Sequence, residues 1–214
     1  MKLISLSRLF DFVIKTSTKY NIDESHALKH SMDVYYYSHS IFENEKKNYI
    51  LNPYDEIRSK NIMNVCSILH DMCDNKYTNE EAGWGFIEEL LCNDMGENDI
   101  NVSKDIIMNM SYSKVIKKGF PDIFQNKNDL FIYHVVRQGD LLASYDFERS
   151  VIYGMYKKDL NYQESFIESE KLFENRVFKY IDHNFFVHES VQPKAQQMHL
   201  DAKNRIIDLR KYMI

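Results

Sequence analysis

Apolar residues recur along this chain every three or four positions, the spacing of helices with one buried face, and seldom in strict alternation. Leu3, Leu6, Leu9, Phe10, Val13 and Ile14 predict a first amphipathic helix. Asn21-Ile-Asp-Glu-Ser25 supplies capping side chains for a second helix, from about Ser25 to Glu45, with His26, His30, Val34, Tyr37 and Ile41 on its inward stripe. A third runs from Pro53 to Asp71, with proline at its start and Ile57, Ile62, Val65, Ile68 and Leu69 facing inward. Thr78-Asn79-Glu-Glu81 caps a fourth, which carries Trp84, Phe86, Ile87, Leu90 and Leu91. Polar residues 93–98 predict a loop, and a fifth helix extends from near Val102 to Ser113. Loops at 117–121 and 125–128 follow. Helix then resumes at Asp129 and continues through Asp140 to about Lys157, with Gly139 as its weak point. Two last helices lie near Gln163–His183 and Pro193–Met213.

Composition narrows the fold class. Only 6 Gly and 3 Pro are present, too few for the tight turns of a sheet-rich chain. With 44% hydrophobic residues and no repeat, low-complexity tract or linker, residues 1–214 are expected to form an all-α, single-domain helical bundle. The charge balance, 27 basic against 32 acidic residues and a net −5, gives no field to hold a polyanion. Broad nucleic-acid binding and binding to anionic membranes are therefore not expected, although local basic spots could receive a small phosphate ester. Cys66, Cys73 and Cys92 are odd in number and lack CxxC spacing. Cys66 sits in an apolar stretch and reads as a core residue, which fits a reducing, cytoplasmic setting. The apolar run at residues 3–14 is broken by Arg8 and Asp11, so it reads as neither a leader nor a span.

Three places carry chemistry. His26 and His30 are four apart on one predicted helical face. His70-Asp71 closes the apolar run Val65-Cys-Ser-Ile-Leu69 where helix gives way to a polar turn, so both side chains reach one ion only if it sits beside the helix end. Asp140 is an acid between Phe131–Val136 and Leu141-Leu142 in a core-forming helix. A buried carboxylate needs a metal, a cation or several hydrogen bonds, and Arg137, one turn earlier, offers an ordinary ion pair. Each histidine alone reads as readily as a hydrogen-bonded core residue, and each lysine as a solvated charge.

The ordered set His30-Ser-Met-Asp-Val34, Ile68-Leu-His-Asp71 and Asp140 resembles the HD superfamily of metal-dependent phosphohydrolases. The likeness extends to a branch of bacterial nucleotide pyrophosphatases. Asp23-Glu-Ser-His26 with His30 resembles its D-x-x-H-x-x-x-H opening, and Leu69-His-Asp-Met-Cys-Asp-Asn-Lys-Tyr77 its L-H-D-x-x-D-x-K-[YF] run. Ser111-Tyr-Ser-Lys114 resembles its S-Y-S-K segment, and Arg137-Gln-Gly-Asp-Leu-Leu142 stands where it has Q-D-A-D-R-L. The resemblance implies a bundle of the HD type, with a motif-bearing core at about residues 23–145 and helices at about 160–213 packed on it. It also implies metal ligands His30, His70, Asp71 and Asp140, a set that suits one manganese, iron, cobalt or nickel ion, manganese first. His26 would hold a phosphate oxygen or assist proton transfer, Asp74 would orient the water or take its proton, and Lys76 and Lys114 would clamp phosphate.

The implied reaction converts a nucleoside triphosphate to monophosphate and pyrophosphate. Gly139, Leu141 and Ala143 depart from the branch, which has an acid and an arginine around its distal ligand. Asp146 and Arg149 either compensate or form a surface ion pair. Two further readings follow: a nucleoside monophosphate phosphatase, and a catalytically degenerate domain that binds a nucleotide or a partner protein. A second copy of the chain is a further candidate partner. His134 lies on the wrong side of its helix to join the set, so a single ion is expected. His183 and His188 read as surface or capping residues, and Tyr112 or Tyr145 as residues that could stack on a base.

Overall fold

The computed structural model describes residues 2–50 and 52–213, and among them every regular element is a helix. Ten α-helices form one all-α unit: α1 (Leu6–Tyr20), α2 (Leu28–Glu45), α3 (Pro53–Leu69), α4 (Glu80–Leu91), α5 (Glu97–Asn109), α6 (Tyr112–Lys118), α7 (Lys127–Ala143), α8 (Phe147–Lys157), α9 (Tyr162–Asn175) and α10 (Gln192–Arg210). Local chemistry sets many of the starts. Asn52 accepts from the amide of Asp55 at 2.9 Å with Pro53 in the first turn, Asn79 accepts from Ala82, and Asn161 and Glu164 cap one another's amides.

The centre of the bundle is the packing of α2, α3 and α7. Val34, Phe42, Ile62, Val65, Ile68, Leu69, Phe131, Val135 and Val136 are fully or almost fully buried there. Gly139 lets α7 approach α2 closely. A Cβ at that position would stand 2.2 Å from Ser38 Oγ and 3.0 Å from the backbone N of Ser38 and O of Val34. The Gly139 that looked like a weak point is thus a packing contact, and it explains why no larger side chain stands beside Asp140. Arg58 of α3 ties the core laterally, donating to Asp99 of α5 at 2.7 Å and to Asp129 of α7 at 2.6 Å.

Several boundaries differ from the sequence expectation. The second helix begins at Leu28, and His26 lies in the turn before it. Residues 97 and 98, expected in a loop, open α5, where Glu97 and Asp99 face the positive end of the helix dipole. The expected fifth helix is two, because Ser111 caps a new start at α6. The expected helix from Asp129 to Lys157 also divides, at residues 144–146 and not at Gly139. Ser144 folds its hydroxyl back onto the carbonyl of Asp140, and Asp146 accepts from the amide of Arg149 to begin α8. The helix expected to reach His183 ends at Asn175, followed by a short 3-10 turn.

No helix among the described residues is long and apolar enough to cross a membrane.

Candidate metal centre

His30 stands in the first turn of α2 on its buried face, His70 caps the C-terminus of α3, Asp71 follows it in the turn, and Asp140 sits near the C-terminus of α7. The close α2–α7 crossing and the end of α3 bring them together. His30 Nε2 lies 3.2 Å from His70 Nε2, and 3.4 Å from both Asp71 Oδ2 and Asp140 Oδ1. His70 Nε2 lies 3.4 Å from Asp71 Oδ2 and 3.8 Å from Asp140 Oδ1. These are close to the separations of about 3 to 3.5 Å between neighbouring ligands that each stand about 2.1 Å from one ion. One ligand atom from each of His30, His70 and Asp71 lies within 4.8 Å of the other two, a grouping that could hold a metal ion.

The hydrogen bonding around the cluster fits that use. His70 Nδ1 donates to the carbonyl of Ser67 at 3.1 Å, which fixes Nε2 as the nitrogen turned to the centre. Asp71 Oδ2 is buried and has no hydrogen-bond partner. Burial opposes charge on all four groups, yet both carboxylates are held below their ordinary range by the imidazoles. Burial likewise works against His70, but Asp71 and Asp140 outweigh it and push His70 up to about 9. His30, buried and beside Arg149, falls to about 3. The proton on His70 and the charge of Arg149 balance the two carboxylates here, and a metal ion held by the four groups would take the place of that proton.

The cluster opens into a cavity of about 530 Å³ walled by the turn after α3 and by α5, α6, α8 and α9. His26 lines it, as do Asp74, Lys76 and Lys114. Although not on the helix, the His26 ring lies 6.2 Å from that of His30. Tyr77 donates its hydroxyl to Asp23 at 2.9 Å and meets His26 Nδ1 at 3.1 Å, and Ser25 Oγ meets the same nitrogen at 2.6 Å, so Nδ1 is engaged and Nε2 is the nitrogen left over. Burial holds His26 neutral, down at about 4. Asp74 accepts from the amide of Lys76 at 2.9 Å, and the Lys76 ammonium lies 3.3 Å from Asp74 Oδ2. Lys114 donates to the carbonyl of Met108 at 2.6 Å and lies 3.6 Å from Glu80. Both lysines are exposed on the rim.

Other expectations change. Arg137 makes no ion pair with Asp140; it donates to the carbonyl of Phe185 and lies over the Phe120 ring at 4.8 Å. Asp146 and Arg149 form no side-chain pair. Asp146 caps α8, and the Arg149 guanidinium turns back to the carbonyl of Ser25 at 3.1 Å, lining the cavity next to the cluster. His188 is buried at 5% exposure, with its Nδ1 2.6 Å from Gln138 Nε2, whereas His183 is exposed as expected. Tyr145 is buried against Phe186, and Tyr112 has one face covered by Arg176 at 4.8 Å. Neither is an open platform for a base. Tyr77, Asp23 and Arg176 had no assigned roles. The first two were visible as the flanks of the D-x-x-H and K-[YF] segments, but nothing in the sequence singles out Arg176.

No family model, no curated protein and no solved structure matches the chain, so the site is read from its residues.

Proposed function

We propose that this protein is a metal-dependent phosphohydrolase of the HD type, acting on a nucleotide phosphate, with conversion of a nucleoside triphosphate to monophosphate and pyrophosphate as the leading reaction. The observation that carries this reading is the convergence of two imidazole nitrogens and two carboxylate oxygens, 3.2 to 3.8 Å apart across five contacts, at the buried end of an open cavity. Two imidazoles and two carboxylates suit manganese, iron, cobalt or nickel better than a site made for magnesium. The ion, when bound, acidifies water and polarises a phosphoryl oxygen.

The chain's own residues account for the rest. Arg149 has no carboxylate partner among the described residues and is free to take a non-bridging phosphate oxygen. Lys76 and Lys114 add positive charge at the rim, where phosphates further from the reacting bond would pass. The water oxygen bonds to phosphorus as the phosphorus–oxygen bond to the leaving group breaks, and that bond's electron pair leaves with the departing oxygen. His26, neutral and with Nε2 open, holds the proton released from the water and returns one to the solvent or the leaving oxygen. Asp74 is engaged by the amide and ammonium of Lys76, which favours a role in orienting over one in accepting the proton.

Incubation with ATP and AMP in manganese, with products separated by chromatography, tests the reading. Pyrophosphate from ATP is expected, with AMP untouched. Phosphate from AMP would replace it with the monophosphatase reading, and tight nucleotide binding without turnover across the four metals with the degenerate one. Undiminished hydrolysis by both His70→Ala and Asp71→Ala would remove it altogether.

A further inference from the structure

The cavity is larger than one phosphoryl group needs, and its size of about 530 Å³ lies in the range of pockets that enclose whole small molecules. Its second half is built by residues outside the motif-bearing core. Ser165 and Ser169 stand on α9, and Arg176 and Tyr180 follow α9. Gly154 of α8 allows α9 to pack close, since a Cβ there would stand 2.8 Å from Ser165 Oγ.

The cations that line the cavity fall into two groups. Lys76 is matched by Asp74, Lys114 by Glu80 and Lys158 by Glu168. Arg149 and Arg176 have no carboxylate within salt-bridge reach among the described residues. Arg149 stands beside the metal centre, and Arg176, just past the end of α9, feels the charge of Asp140. The Arg176 guanidinium lies over the Tyr112 ring at 4.8 Å, which fixes its plane and leaves its edge open. Its Nε is buried, and the hydroxyl of Tyr180 stands beside it. An unmatched cation in a partly desolvated chamber is costly unless an anion completes it. The guanidinium fork is shaped for the paired oxygens of a phosphate.

We propose that Arg176, with Tyr180 beside it, binds a second phosphate group of the substrate, one that is not attacked, while the reacting phosphoryl group lies at His30, His70, Asp71 and Asp140. This rests on the hydrolase reading and narrows it: the substrate carries at least two phosphate groups, and a simple monoester fills only half of the chamber.

The experiment compares the full chain with Arg176→Met and Arg176→Lys, all in saturating manganese. Calorimetry with inorganic tripolyphosphate reads binding, and steady-state kinetics use ATP and p-nitrophenyl phosphate. For Arg176→Met the tripolyphosphate Kd and the KM for ATP should rise at least tenfold, a larger loss than any fall in kcat/KM for p-nitrophenyl phosphate, which has one phosphate group. Arg176→Lys, which keeps the charge but loses the fork, should weaken tripolyphosphate binding about threefold to fivefold. It decides the matter if circular dichroism shows the methionine variant unfolded. Tripolyphosphate binding that is unchanged in both folded variants, or absent from the wild type, would overturn the subsite. Binding that depends on Arg176 in a protein that hydrolyses nothing would keep the subsite and remove the hydrolase. Hydrolysis of ATP with a KM indifferent to Arg176 would do the reverse.

Discussion

His30 and His70, 40 residues apart in the chain, face one another through their Nε2 atoms at 3.2 Å. Two like ring nitrogens meet so closely in a buried place only when a proton or a cation sits between or beside them. Replacing either histidine by alanine, or Asp140 by asparagine, should weaken manganese binding by more than about a hundredfold, since even the partners behind ligands are worth about 10 to 100-fold. Calorimetric metal titration measures this directly. Manganese should raise the Tm of the wild type, and the same variants should lose that shift.

Gly139 sets how far His30 stands from Asp140. Gly139→Ala would press a methyl group against Ser38 and the backbone of α2. A loss of about 2 kcal/mol is expected, a fall in Tm of roughly 4 to 8 °C. Manganese affinity should fall in the same variant although no ligand is changed. Calorimetric scans with and without manganese read both effects.

Arg58 joins three helices through Asp99 and Asp129. Arg58→Met keeps much of the side-chain bulk but leaves two largely buried carboxylates without their cation. Breaking such a network should cost about 3 kcal/mol, measured by urea denaturation at neutral pH. Replacing Asp99 and Asp129 by asparagine together with Arg58→Met should recover part of that loss.

Acid should unfold the protein through histidines away from the metal centre. Burial holds His134 neutral, down at about 3, with Arg137 and His188 adding to the effect. Burial also lowers His188, against the pull of Glu45. Both bind a proton more readily in the unfolded chain, whose histidines titrate near 6.5. Their contribution is therefore complete above about pH 6.5 and is lost as pH falls from there towards the folded values, at up to about 1.4 kcal/mol per pH unit for each group. Urea denaturation at pH 7, 6 and 5 should show this slope, and His134→Phe should flatten it.

Local signals were readable where the cause is local. Asn52-Pro53, Asn79 and the Asn161–Glu164 pair start helices by bonds within one turn, and the sequence located α3, α4, α9 and α10 to within a few residues at their starts. The break between α7 and α8 was hidden because apolar residues continue across it, and only the turned-back hydroxyl of Ser144 and the cap of Asp146 create it. The four clustered side chains were legible from residue type and order. His188 was not, because its burial comes from Gln138, 50 residues earlier. Arg149 was left between two readings that differ only in where its side chain turns, a matter of tertiary packing. Arg176 gave no signal, since its meaning depends on which acids fail to reach it.

The placement of α9 has a consequence for how such a chain can diversify. The cluster is assembled from residues 30 to 140, whereas much of the opposite wall comes from residues 144 to 180. Substitutions in the later stretch can reshape what enters the chamber without disturbing the bonds that organise its reactive end. A single ancestral centre could in this way be fitted to many molecules, as a common lock body takes different keyways.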